Sequence, residues 1–158
     1  MSASFSILKL ELGSPQATEQ LGARLADLTK PGSVLYLRGD LGAGKTTLVR
    51  GFLRGLGYSG AVKSPTYTLL EPYELTNRLV LHCDLYRLAD ADELEFLGLR
   101  EFLDGRTILL VEWPERGEAL LPPADLDILL EYSAGGRSCC VRTTTAEGEA
   151  VLLKDLSN

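Results

Sequence analysis

Eight consecutive residues, Gly39-Asp40-Leu41-Gly42-Ala43-Gly44-Lys45-Thr46, carry the densest chemistry in the sequence. They match the spacing G-x-x-x-x-G-K-S/T at every fixed position, a pattern that suits a polyphosphate. The glycines let backbone N–H groups turn inward and approach phosphate oxygens. Lys45 supplies a cation for β- and γ-phosphates, and the Thr46 hydroxyl is a ligand for Mg²⁺. A helix starting at Lys45 would point its positive end at the same anion. A chance glycine-rich turn shares the composition, but here an apolar strand precedes the loop and a helical pattern follows it.

A nucleotide-bound Mg²⁺ calls for a carboxylate near Thr46, commonly at the end of an apolar strand. Two residues qualify: Asp84 after "LVLHC" and Glu112 after "TILLV". One could hold metal while the other orients or deprotonates water, and the sequence does not rank them. Each alone is also an ordinary polar strand end. Ser64, Thr66 and Thr68 alternate, either as an exposed β-stripe or as hydroxyls sensing a γ-phosphate. Pro65 places them at a loop or strand start. Trp113 reads alone as a packing aromatic. His82, the sole histidine, sits on an apolar strand and reads as a core or edge imidazole.

The elements that must position these groups follow from periodicity. "FSILKLEL" alternates as a half-buried strand. In "SPQATEQLGARLADL", Ser14 caps, Pro15 takes the first helical position, and Leu21, Leu25 and Leu28 share one face. "SVLYLRG" is a strand, and "KTTLVRGFLRGLG" a helix ended by Gly57. "SPTYTLLEPYEL" and "RLVLHCDLYRL" are strand-rich around "TN". "DADELEFLGLREFLDG" reads as one amphipathic helix capped by Asp90 or Asp92, with a solvated acidic face. "TILLVEW" is a strand. "DLDILLEY" and "RSCCVRT" form a hairpin around "SAGG", and "EAVLLKDL" is a weak terminal element. Strands alternating with helices make a layered α/β fold.

With 158 residues, 45% of them hydrophobic, the chain suits one domain, 1–158, with a buried core. A net charge of −6 argues against independent nucleic-acid binding. Cys83, Cys139 and Cys140 are odd in number and lack a CxxC, which reads as reduced thiols in a cytoplasmic protein. "MSASFSILKLELG" has no signal-peptide pattern, and no apolar run has the roughly 20 residues of a membrane span.

"GDLGAGKTTL", "VKSPTYTLLEPY", "HCDLYRL", "DELEFLGLREFL" and "LVEWPERG" occur in the order and spacing of the bacterial TsaE (YjeE) proteins, which the chain resembles over most of its length. The resemblance implies a single-domain P-loop NTPase, three-layer α/β/α with a mixed central sheet. It implies a small ATPase, using ATP/ADP and Mg²⁺, required for N6-threonylcarbamoyladenosine in tRNAs that read codons beginning with A. The family acts with TsaB and TsaD, after TsaC makes threonylcarbamoyl-AMP, and resets that pair instead of transferring the group; tRNA contact would be indirect. By resemblance, Leu41, Gly42, Ala43, Gly44, Lys45, Thr46 and Thr47 hold the nucleotide, joined by Asp84, Glu115, Pro15 and Arg137. Thr46 and Glu112 take Mg²⁺, and Lys45, Asp84 and Glu112 are catalytic. Ser64, Thr66, Thr68 and Trp113 couple the nucleotide to partners.

Two other classes compete. A GTP switch would need an N-K-x-D-like base reader, which is absent. A small kinase moving the γ-phosphate to a metabolite needs an acceptor pocket and usually a lid, for which little chain is left. No arginine finger is evident beyond Arg87 or Arg116, so slow hydrolysis alone and stimulation by partners are expected.

Overall fold

The computed structural model describes residues 6–64 and 68–151. In chain order these form β1 (Ile7–Leu12), α1 (Pro15–Leu28), β2 (Val34–Arg38), α2 (Lys45–Gly55), β3 (Leu70–Leu75) and β4 (Arg78–Asp84). There follow α3 (Glu93–Phe96), α4 (Leu99–Phe102), β5 (Ile108–Glu112), a 3₁₀ turn (Pro114–Arg116), β6 (Leu126–Ser133), β7 (Gly136–Thr143) and α5 (Ala146–Val151). All the strands lie in one sheet of order β1-β7-β6-β2-β5-β4-β3. The central β6-β2-β5-β4 run is parallel, and β1, β7 and β3 extend it in antiparallel pairs.

Burial explains the arrangement. The central strands "VLYLR" and "ILLVE" are apolar almost throughout because both faces are covered. Leu35, Leu37, Leu110 and Ile128 meet Leu25, Leu48 and Phe52 of α1 and α2 on one face. Tyr36, Leu81, Leu109 and Val111 meet Leu94 and Leu99 of α3 and α4 on the other. The expected three layers and mixed sheet are therefore present. Ser14 accepts a hydrogen bond from the Ala17 N–H at 3.1 Å, with Pro15 first in α1. α1 packs directly on α2: a Cβ placed on Gly51 would lie 2.1 Å from the Glu19 carbonyl oxygen.

Three segments depart from expectation. The single helix expected over 90–105 is two four-residue helices, α3 and α4, separated at Gly98, which has φ +81°. That left-handed turn lets Leu94 and Leu99 both reach the sheet, which a continuous helix would have to satisfy from one stripe. Asp92 makes no capping bond; Asp90 instead accepts from the Asp92 N–H at 3.0 Å. The acidic face also carries Phe96, 91% exposed. The strand expected from Ser64 starts only at Leu70, after a bend at Thr68 and Leu69. β3 is an edge strand, which accommodates Pro72 and its missing N–H. Finally, the terminal element starts earlier than expected, at Ala146.

Among the described residues no helix is long and apolar enough to cross a membrane. The three cysteines are free. Burial pushes the Cys139 thiol up to about 12 and the Cys83 thiol up as well.

Candidate functional site

The carboxyl ends of β2, β5 and β4 lie side by side, which is where ligands bind in parallel sheets. β2 runs into the loop Gly39–Gly44, and α2 starts at Lys45. Gly44 makes that junction with φ +111°, a backbone geometry that side chains disfavour. Register places Leu37 beside Glu112, and Glu112 beside Asp84. Strand alternation turns Val80, His82 and Asp84 to the α2 side, as it does Ile108, Leu110 and Glu112.

A cavity of about 240 Å³ results. Leu41, Gly42, Gly44, Lys45, Thr46, Thr47, Ser64, Asp84, Glu112 and Trp113 line it. The Thr46 hydroxyl donates to Glu112 Oε2 at 3.3 Å and lies 2.8 Å from Ser64 Oγ. His82 Nε2 is 2.6 Å from the same carboxylate oxygen. Lys45 is only 4% exposed; its ammonium bonds the Gly39 carbonyl and lies 3.8 Å from the Trp113 ring centroid. Burial pulls the Lys45 amine below its ordinary range, opposed by the negative charge of Glu112, Asp84, Glu115 and Asp40. Trp113 has φ +57°, a left-handed conformation costing roughly 1–3 kcal/mol for a side-chain-bearing residue. It is held between Lys45 and Tyr86, with Arg116 stacked over both aromatic rings.

A second cavity, about 150 Å³, flanks the loop and shares Gly42, Gly44 and Thr47 with the first; Pro15 and Arg137 line it. Arg137 donates from Nε to the Ala43 carbonyl and from Nη2 to the Gly42 carbonyl, both at 3.2 Å. The Tyr132 hydroxyl donates to the Leu41 carbonyl at 2.8 Å. The hairpin thus holds three successive carbonyls on the outer side of the loop. Ala43 lies behind the loop, with its N–H on the Asp40 carbonyl. Glu115 lies outside both cavities, paired with Arg38 at 3.2 Å. Thr68 is exposed and does not line the cavity, and Thr66 lies outside the described residues. Sequence reasoning missed Tyr132 and the contact between His82 and Glu112. For His82 the available signal was its i, i+2 spacing to Asp84, which puts both on one strand face.

The donors around Thr46 suit a hard divalent cation. Thr46 Oγ1, Ser64 Oγ and Glu112 Oε2 are all oxygens, and few protein ligands are needed when a nucleotide supplies the remainder. Burial, and then the negative charge of Glu112, push the Asp84 carboxyl above its ordinary range against the pull of the Tyr86 N–H. A carboxyl raised on folding stabilises in its protonated form, and that contribution is lost as pH rises through the folded value. Ionised Asp84 therefore opposes the fold at neutral pH. Asp84→Asn keeps an oxygen for Tyr86 and is expected to raise the melting temperature of the nucleotide-free chain at pH 7. The gain should vanish below the carboxylate range. A lower or unchanged melting temperature at pH 7 would contradict this.

Comparison with known proteins bears on the whole chain. Residues 12–139 match the family model described as threonylcarbamoyl adenosine biosynthesis protein TsaE. A tRNA threonylcarbamoyladenosine biosynthesis protein TsaE from Haemophilus influenzae is 46% identical over 124 residues, 78% of each chain. One of the same description from Bacillus subtilis is 37% identical over 150 residues, 95% of this chain and 94% of that one. The crystal structure of Bacillus subtilis YdiB superposes with a TM-score of 0.83 and 32% identity, covering 99% of this chain and 97% of the other.

Proposed function

The chain belongs to the TsaE family, and on that premise we propose that it is a Mg²⁺-dependent ATPase of tRNA N6-threonylcarbamoyladenosine biosynthesis. It acts on a TsaB–TsaD pair to support turnover, downstream of TsaC, on tRNAs that read codons beginning with A. The observation that carries this reading is the convergence of Lys45, Thr46, Asp84 and Glu112 on one cavity at the start of α2.

In this reading, loop amides between Leu41 and Thr46 and the α2 N-terminus bind the phosphates of ATP/ADP. The Lys45 ammonium, already inside the cavity, neutralises charge on the β- and γ-oxygens. Thr46 and Glu112 hold Mg²⁺, which when bound offsets the charge developing between the β- and γ-phosphates. Asp84 orients the attacking water. Pro15 and Arg137 border the flanking cavity, which suits the outer parts of the nucleotide. The Ser64–Thr46 hydroxyl contact supports a switch role for the Ser64, Thr66 and Thr68 hydroxyls, because it ties Ser64, the first of them, to a metal-holding hydroxyl. Trp113 and Arg116, stacked at the rim, would extend the coupling to partners.

The entire chain, 1–158, acts as one domain in the cytoplasm. Its acidity favours indirect contact with tRNA, and exposed Phe96 offers a partner protein an apolar anchor. The test is modification of a tRNA reading an A-initial codon by TsaB–TsaD, fed with TsaC product. With this chain and ATP, product should rise well beyond one equivalent per TsaD. Product stopping at one equivalent with or without the chain would contradict the proposal.

A further inference from the structure

We infer that His82 is a positioning residue: its Nε2–H aims the Glu112 carboxylate at Thr46 and so sets the affinity of the site for Mg²⁺ with nucleotide. The inference rests on the assignment of Thr46 and Glu112 to the metal made above.

Three observations carry it. First, His82 is 0% exposed, and its Nε2 lies 2.6 Å from Glu112 Oε2. A carboxylate only accepts, so Nε2 carries the hydrogen and donates. Second, the Thr46 hydroxyl donates to that same Oε2 at 3.3 Å. Imidazole and threonine thus hold one oxygen of a carboxylate that is 2% exposed. Third, among the described residues His82 Nδ1 is buried without a hydrogen-bond partner. Burying a ring nitrogen in that way opposes folding, and an apolar side chain would avoid it. The neighbours on the same sheet face, Val80, Ile108 and Leu110, are apolar. What histidine adds there is the directed N–H.

Glu112 ends β5, and its register fixes only where the side chain starts. Three side-chain torsions then decide where the carboxylate lies. The His82 ring, set on β4 and fully buried, removes that freedom, as partners of metal-holding groups do elsewhere. It is fully buried and does not line the cavity, so its effect passes through Glu112.

The test uses the tag-free full chain, in which His82 is the only histidine. His82→Phe keeps an aromatic ring and removes the donor; His82→Gln restores a donor. ADP binding is measured without metal and across a Mg²⁺ series. His82→Phe should raise the Mg²⁺ concentration for half-maximal effect by on the order of 10–100-fold, leave metal-free ADP affinity near parental, and be partly rescued by His82→Gln. A His82→Phe chain that melts earlier yet keeps the parental Mg²⁺ dependence would overturn the inference and leave a packing role only. Imidazole ¹⁵N spectra of the parent chain need no variant. They should show the Nε2-protonated ring, with a signal that shifts on adding Mg²⁺ with ADP but not ADP alone. The other tautomer, or no shift, would overturn the inference even where His82→Phe fails to fold. If the parent shows no Mg²⁺ dependence of ADP binding, the assignment of the metal to Thr46 and Glu112 fails as well.

Discussion

Lys45→Ala is expected to abolish measurable ATP turnover and to weaken ATP and ADP binding. The loss in turnover should be on the order of 10²–10³-fold or more, the scale for removing one preorganised charge-stabilising donor. The buried ammonium sits at the α2 N-terminus, against the Gly39 carbonyl and the Trp113 ring. It is also the cation that offsets the negative charge of Glu112, Asp84, Glu115 and Asp40 around it. Alanine removes the donor and leaves those carboxylates facing an incoming polyphosphate. Binding therefore falls along with the chemical step, and added Mg²⁺ should recover little of either. Phosphate release and ADP affinity check this, with a melting curve to show that the variant folds. Turnover within a few-fold of the parent would contradict the role given to Lys45.

Glu112→Ala should separate metal from nucleotide. Mg²⁺-dependent turnover should fall by roughly 10²-fold, while metal-free ADP binding persists, because the loop amides and Lys45 remain. The variant also removes the acceptor for two donors, Thr46 Oγ1 and His82 Nε2. Thr46 keeps Ser64 Oγ as a partner, but leaving the buried His82 donor unpaired costs about 1–3 kcal/mol, so the melting temperature should drop. Glu112→Gln keeps the volume and one acceptor oxygen, and should recover stability without recovering turnover. If Glu112→Ala hydrolyses ATP as the parent does, the metal is held elsewhere, and Asp84 becomes the first alternative.

The glycine-rich loop between β2 and α2 was legible in the sequence because its determinants are contiguous: the glycines, Lys45 and Thr46 sit at fixed offsets between a strand and a helix. The start of α1 was legible for the same reason, Ser14 and Pro15 being a local signal. Which of the two carboxylates, Asp84 or Glu112, meets Thr46 was not, since it depends on the β4–β5 register and on a reach of 66 residues from Thr46 to Glu112. His82 read as a core imidazole, and it is buried; that its Nε2 bonds Glu112 follows only from that register. The bonds from Arg137 and Tyr132 to the loop carbonyls span more than 90 residues and leave no local trace. The helix expected over 90–105 failed at Gly98, where seating both Leu94 and Leu99 on the sheet outweighed helical continuity.

The most direct measurement of the central claim is phosphate release from Mg²⁺-ATP by the purified chain, alone and with a TsaB–TsaD pair from the same source. Slow hydrolysis alone and strong stimulation by the pair are the predicted result. No stimulation, with the γ-phosphate appearing instead on an added metabolite, would contradict the account and make the site that of a kinase.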